Sequence, residues 1–118
     1  MEHKLFEAER RFMEIIWEEE PVNSTRLCSL TLEKLGWKKS TTYTMLRRLL
    51  ERGFVQNENA TVASLVSREA FLRHESEELI DSGFSGSVPA FLASYLKGRH
   101  LSAAEADELK HLIEEAKF

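Results

Sequence analysis

With a single cysteine, Cys28, the chain can form no internal disulfide and no multi-cysteine zinc or copper site. Its side chain is expected as a small buried hydrophobe on a helix rather than a reactive thiol. The four histidines, His3, His74, His100 and His111, lie far apart and without metal-binding helical spacing, so no metal is expected. Gly-rich phosphate loops, nucleophile elbows and Walker signatures are missing as well. That removes the usual grounds for catalysis, and neither a catalytic residue nor a cofactor is assigned. No apolar run approaches the roughly 20 residues of a membrane span, and no signal peptide opens the chain. A cytoplasmic protein without membrane insertion is the expectation.

What remains is an ordinary soluble composition, 42% apolar and 31% charged over 118 residues, enough for one domain or one domain with a small appendage. The formal charge is −4, but it is unevenly spread. Between Trp37 and Gly53, five cations (Lys38, Lys39, Arg47, Arg48, Arg52) face one glutamate, Glu51, a local charge of +4. An acidic protein that gathers positive charge in one stretch is placing an electrostatic footprint.

That stretch predicts one helix, capped by Ser40 or Thr41 and leaving through Gly53. At 100° per residue, Thr42, Leu46, Leu49 and Leu50 share a core face, while Thr41, Thr44, Arg48 and Arg52 share the opposite one. Hydroxyls at the N-terminal end and guanidiniums further along are the groups that meet base edges and phosphates in a major groove. A solvated Lys/Arg-rich face is the bland alternative, and the neighbouring elements must decide.

The neighbours favour DNA. A first helix over residues 6–20 carries Leu5, Ala8, Phe12, Ile15 and Ile16 at spacings of three and four, with Trp17 broadening the stripe. The acidic run Glu18–Glu20 reads as a solvated helix end before Pro21, and Val22 as an extended link. Asn23 caps a second helix, Ser24–Leu35, with Leu27, Leu30, Thr31 and Leu35 inward and Gly36 closing it. Two helices joined by a short connection, the second basic outward, fit helix-turn-helix geometry. Phe54–Val55 and Thr61–Val66 then predict a two-stranded hairpin, with an uncharged-to-acidic tip at Asn57-Glu58-Asn59. The expected fold class is mainly α with a small β-hairpin: a winged helix-turn-helix domain over residues 1–66, then an α-helical dimerisation region over 67–118.

In that second part, Ser67 caps a helix ending near Ile80, Asp81–Ser87 reads as a loop, and Val88–Lys97 as a short helix. Ser102 caps a last helix, Ala103–Lys117. About 50 residues with this many large hydrophobes are most easily satisfied by a second copy of themselves. Phe91, Leu92, Tyr95, Leu96, Leu109, Leu112 and Ile113 are the candidate dimerisation residues. The competing arrangement folds these helices back on their own winged helix.

The chain resembles the penicillinase-repressor family along nearly its whole length. The likeness rests on AER-x-FMEIIW in the first helix, Asn23-Ser24, Trp37, T-x-x-T-M-L-x-R-L-x-x-x-G from Thr41 to Gly53, and the closing LSAAEADELKHLIEEAK. The resemblance implies a dimeric repressor whose winged helices bind a palindromic operator, with Thr41, Thr44 and Arg48 contacting DNA. It also implies release through a sensor or antirepressor protease that cuts within the C-terminal region, at a bond corresponding to Ser94-Tyr95. The sequence departs from the family at Lys39-Ser40, where Pro-Lys is common, in a wing without a Gly-Arg pair, and at Ser94, which stands for asparagine. No Cys-rich tail of the copper-responsive branch is present.

The expected function is a sequence-specific repressor binding a double-stranded operator as a homodimer. Lys38, Lys39, Arg47 and Arg52 are assigned to phosphates, and Thr41, Thr44 and Arg48 to base edges. The second reading is a winged-helix module that binds a protein partner and no DNA, which the overall negative charge and the neutral wing favour.

Overall fold

The computed structural model describes residues 4–116. Their elements run α1 (Glu7–Glu19), β1 (Val22–Asn23), α2 (Ser24–Leu35), α3 (Lys39–Glu51), β2 (Val55–Glu58), β3 (Thr61–Ser64), α4 (Arg68–Phe84), α5 (Val88–Leu96) and α6 (Ala103–Glu115). The chain is mainly helical with one small antiparallel sheet, the order of a winged helix followed by a helical region. It divides into two compact units that meet between Glu77 and Glu78, inside α4.

The first unit has a true core. Phe12, Met13 and Ile16 of α1, Leu27 of α2, Leu46 and Leu49 of α3, Phe54, Val55, Val62 and Phe71 are all buried. Period-3.6 spacing puts the helical members on one face each. Ala8 does not join them: it is exposed, and the buried positions of α1 are Glu9, Phe12, Met13, Ile15 and Ile16. The helix-turn-helix is pinned by a buried pair, Thr31 Oγ1 to Thr42 Oγ1 at 2.5 Å, with Thr31 also donating to the Cys28 carbonyl at 3.1 Å. Asn23 caps α2 as expected, its side chain accepting from Thr25 N at 2.8 Å, and Gly36 leaves in the left-handed region with φ +69°. Cys28 is half-buried, less enclosed than a core hydrophobe.

The sheet has three strands, not the two of a simple hairpin. Val22 and Asn23 pair with Val62 and Thr61, giving the order β1-β3-β2. Val22, Val55 and Val62 all turn inward, so the link after Pro21 is recruited by a valine that the core needs. The acidic run is correspondingly not all solvated: the Glu20 carboxylate accepts from Ser64 N and Ser64 Oγ, both at 2.7 Å. Pairing of Glu58 with Thr61 moves the wing tip outward to Asn59-Ala60, both with positive φ, the geometry of a tight two-residue turn. Ala60 is an unfavourable residue there, and its carbonyl is held by Ser24 N at 2.8 Å.

The start of α4 belongs to this first unit. Phe71 is buried against Trp17 and Phe54, at ring separations of 5.7 and 6.4 Å, and Arg10 pairs with Glu75 at 2.5 Å. Ser67 caps the helix through Ala70 N, as expected, but α4 continues to Phe84 rather than ending near Ile80. The loop is therefore only Ser85–Ser87, and residues 81–84 are helical.

The second unit is different. Ser87 and Ser102 cap α5 and α6 by accepting from Ala90 N and Glu105 N, at 3.0 and 3.1 Å. Phe84, Phe91 and Tyr95 form a run of ring contacts. Yet no side chain between residues 78 and 116 is buried. Lys117, which the pattern assigns to the last helix, lies outside the described residues, as does His3.

Candidate nucleic-acid interface

Helix α3 owes its orientation to the core face beneath it. Thr42, Met45, Leu46 and Leu49 are buried, and this fixes Lys38, Lys39, Thr41, Thr44, Arg47 and Arg48 on the open side, where all six are exposed. Leu50, grouped with the core face by its angle, is 36% exposed at the edge of that face. Tyr43 is half-buried against the core, with Lys39 Nζ 5.9 Å from its ring centroid. Trp37, entering the helix, packs on Phe12 at 5.4 Å and holds the approach to the N-terminus.

The helix begins two or three residues earlier than Ser40 or Thr41 capping requires. Lys38 is the N-cap residue and makes no side-chain cap. The first-turn amides of Lys39, Ser40 and Thr41 thus keep their donors facing outward, at the positive end of the helix dipole. Such an end accepts a phosphate. Lys38, Lys39, Arg47 and Arg48 pair with no carboxylate among the described residues, and Arg48 has only the Met45 sulfur at 4.0 Å. Four unneutralised cations on one helical face give a local field that the acidic remainder does not cancel at contact distance.

Arg52 does not stand with them. Its guanidinium is only 20% exposed and is bound to the buried carboxylate of Glu9, Nη1 lying 2.7 Å from both oxygens. It also donates to the Lys4 carbonyl and lies 5.0 Å from the centroid of the Phe54 ring. Glu9 in turn accepts from Phe6 N at 2.9 Å. Sequence reasoning missed Glu9, although a signal was there: it occupies an inward position between Leu5 and Phe12, at a spacing where an unpaired carboxylate could not be buried.

The wing carries no cation at its tip; Asn57, Glu58, Asn59 and Ala60 are exposed. In the second unit, Phe91, Leu92, Tyr95, Leu96, Leu109 and Leu112 line one apolar groove between α5 and α6, about 410 Å³ in volume. Ile113 lies outside that lining and is 56% exposed, close to Leu112 at 61% and Tyr95 at 54%. Ser94 and Tyr95 are consecutive exposed residues inside α5.

The penicillinase repressor family model matches residues 5–115, which include α1, the recognition-type helix α3, the wing and all three later helices. The chain belongs to the penicillinase repressor family. It is 21% identical to the penicillinase repressor of Bacillus licheniformis over 118 residues, 97% of this chain and 92% of that one. It is 23% identical to the methicillin resistance regulatory protein MecI of Mammaliicoccus sciuri over 120 residues, 96% and 98% of the two chains. Membership places the chain among transcriptional repressors. No helix of the described residues is long and apolar enough to cross a membrane.

Proposed function

We propose that the protein is a sequence-specific repressor that grips a palindromic operator as a homodimer. The observation that carries the reading is the open face of α3, with two threonines among four unpaired cations, above a buried face that cannot rotate. Thr41, Thr44 and Arg48 read base edges, Arg48 being suited to a bidentate contact with guanine. Lys38, Lys39 and Arg47 bind phosphates and supply most of the affinity. The wing adds at most amide or backbone contacts.

The second unit joins two chains. Its large side chains remain uncovered within one chain, and a two-fold pairing of the groove between α5 and α6 gives each copy the cover it lacks. In this reading the first unit reads DNA, and the second, from Glu78 onward, holds the pair together. Two α3 helices would then sit about 34 Å apart, one duplex turn. A sensor or antirepressor protease acting near Ser94-Tyr95 is the proposed route of release. The bond lies within α5, so that turn must unwind before an extended-chain protease site can take it.

Selection of bound duplexes from a random pool tests the reading directly. A palindromic consensus with half-sites one turn apart is expected, with affinity falling steeply as salt rises. Recovery of no duplex at about 50 mM salt would instead leave a protein-binding module.

A further inference from the structure

Helix α3 is tied down at both ends by polar contacts. Near its start the Thr42 hydroxyl meets that of Thr31 on α2 at 2.5 Å, both side chains buried. At its C-cap, Arg52 reaches across to α1, where its Nη1 lies 2.7 Å from each carboxylate oxygen of Glu9. Glu9 is 1% exposed and also accepts from Phe6 N at 2.9 Å, so its own helix fixes its position. We propose that the Glu9–Arg52 pair is a positioning lock: it sets how α3 lies in the groove, and so governs the choice of base sequence without touching DNA. The proposal rests on the DNA-binding reading and extends it to α1, which carries none of the DNA contacts.

The physical case begins with what an apolar face does less well. Burial of Met45, Leu46 and Leu49 decides which side of α3 turns inward, but apolar contacts are non-directional and resist a slide along the axis less sharply than hydrogen bonds do. Thr42 and Arg52 are ten residues apart, about 15 Å at 1.5 Å per residue, so ties at the two positions fix tilt as well as translation. Base-edge contacts need that accuracy, since a recognition geometry must be held within about 0.5 Å. Lysines on phosphates do not, because their flexible stems adapt. A buried ion pair adds little net stability over apolar residues of the same volume, and its best-attested use is to fix register. Arg52 is suited to that use: its guanidinium is 20% exposed, bound to Glu9 and 5.0 Å from the Phe54 ring centroid, so it holds the helix instead of reaching for a phosphate.

The test compares the duplex recovered from the random pool with an unrelated duplex, for the full chain and for Glu9→Gln, Arg52→Gln and the double variant. Each single variant should lower the ratio of the two affinities about tenfold per half-site, with the slope of log affinity against log salt unchanged. The double variant should lose no more than either single one, because the pair acts as a unit. It also leaves no unpaired buried charge, which keeps the comparison available if a single variant fails to fold. Lost stability alone reduces the binding-competent fraction and weakens both duplexes equally. An unchanged ratio therefore overturns the lock, even where the variants melt earlier. A slope that falls by about 0.9 per protomer with Arg52→Gln, but not with Glu9→Gln, makes Arg52 a phosphate ligand and overturns it too. Either result leaves the recognition helix intact, whereas failure of the wild type to bind any duplex removes the lock and the DNA reading together.

Discussion

The two units have similar proportions of apolar residues but use them in opposite ways. The first folds three helices, a three-stranded sheet and the start of α4 around side chains such as Phe12, Leu27, Leu49 and Phe54, all fully buried. The second has well-capped helices and large hydrophobes, and among its described residues none is buried in one chain. Caps and propensity define where a helix runs, but they do not cover its apolar face. A region can be locally well specified and still be incomplete without a partner. The contrast also separates two kinds of exposed residue: cations on α3 without a carboxylate partner among the described residues, and Leu112 on α6, left uncovered within one chain.

The contrast breaks most sharply at Leu112. Leu112→Asp should raise the dimer dissociation constant about a thousandfold or more, roughly 4 kcal/mol, because an unpaired carboxylate would enter an apolar interface. Sedimentation should then show a monomer while tryptophan fluorescence of the first unit stays native; unchanged mass at micromolar concentration would remove the dimer assignment. The next effect tests where the first unit ends. Phe71→Ala should destabilise it by about 3–5 kcal/mol in denaturant melts, since Phe71 is 1% exposed between Trp17 and Phe54. A fragment ending at Glu77 should accordingly be a folded monomer, and one ending at Ser67 markedly less stable. Equal midpoints for the two fragments would show that α4 contributes nothing to the first core.

Smaller changes sharpen the functional side of the comparison. Arg48→Ala should weaken operator binding by about 1–3 kcal/mol and relax the sequence preference at one base pair. A loss of the same size on every duplex would move Arg48 from base to phosphate. Asn23→Ala removes the side-chain cap of α2 and should lower stability of the first unit by about 1 kcal/mol, with the dimer mass unaffected. If it altered the oligomeric state, the two units would not be energetically separate.

Much of this arrangement was legible in the residues. Helix α2 was placed at its full observed span because Asn23 and Gly36 mark its two ends, and both act through their own backbone neighbourhood. The open face of α3 followed in part from periodicity: Thr41, Thr44 and Arg48 are exposed because Thr42, Leu46 and Leu49 are buried, whereas Arg52, grouped with them by its angle, is drawn to Glu9. Less legible was the end of α4, since a glycine and two serines near residue 82 suggest a break that helical hydrogen bonding carries through. Val22 was equally ambiguous, because two residues hold no periodicity until a valine on another strand offers them a partner.

The sequence by itself determined which stretches become helices, where most of them begin, and which side of α3 turns outward, all consequences of interactions within about one helical turn. Only the tertiary structure decided that Arg52 is tied to Glu9, 43 residues away, and that Val22 completes a sheet. It also decided that Phe71 sits with the winged helix. The physical reason is that burial and charge pairing depend on what lies opposite a side chain, and the residue opposite is set by the packing of the whole core rather than by the residues adjacent in sequence.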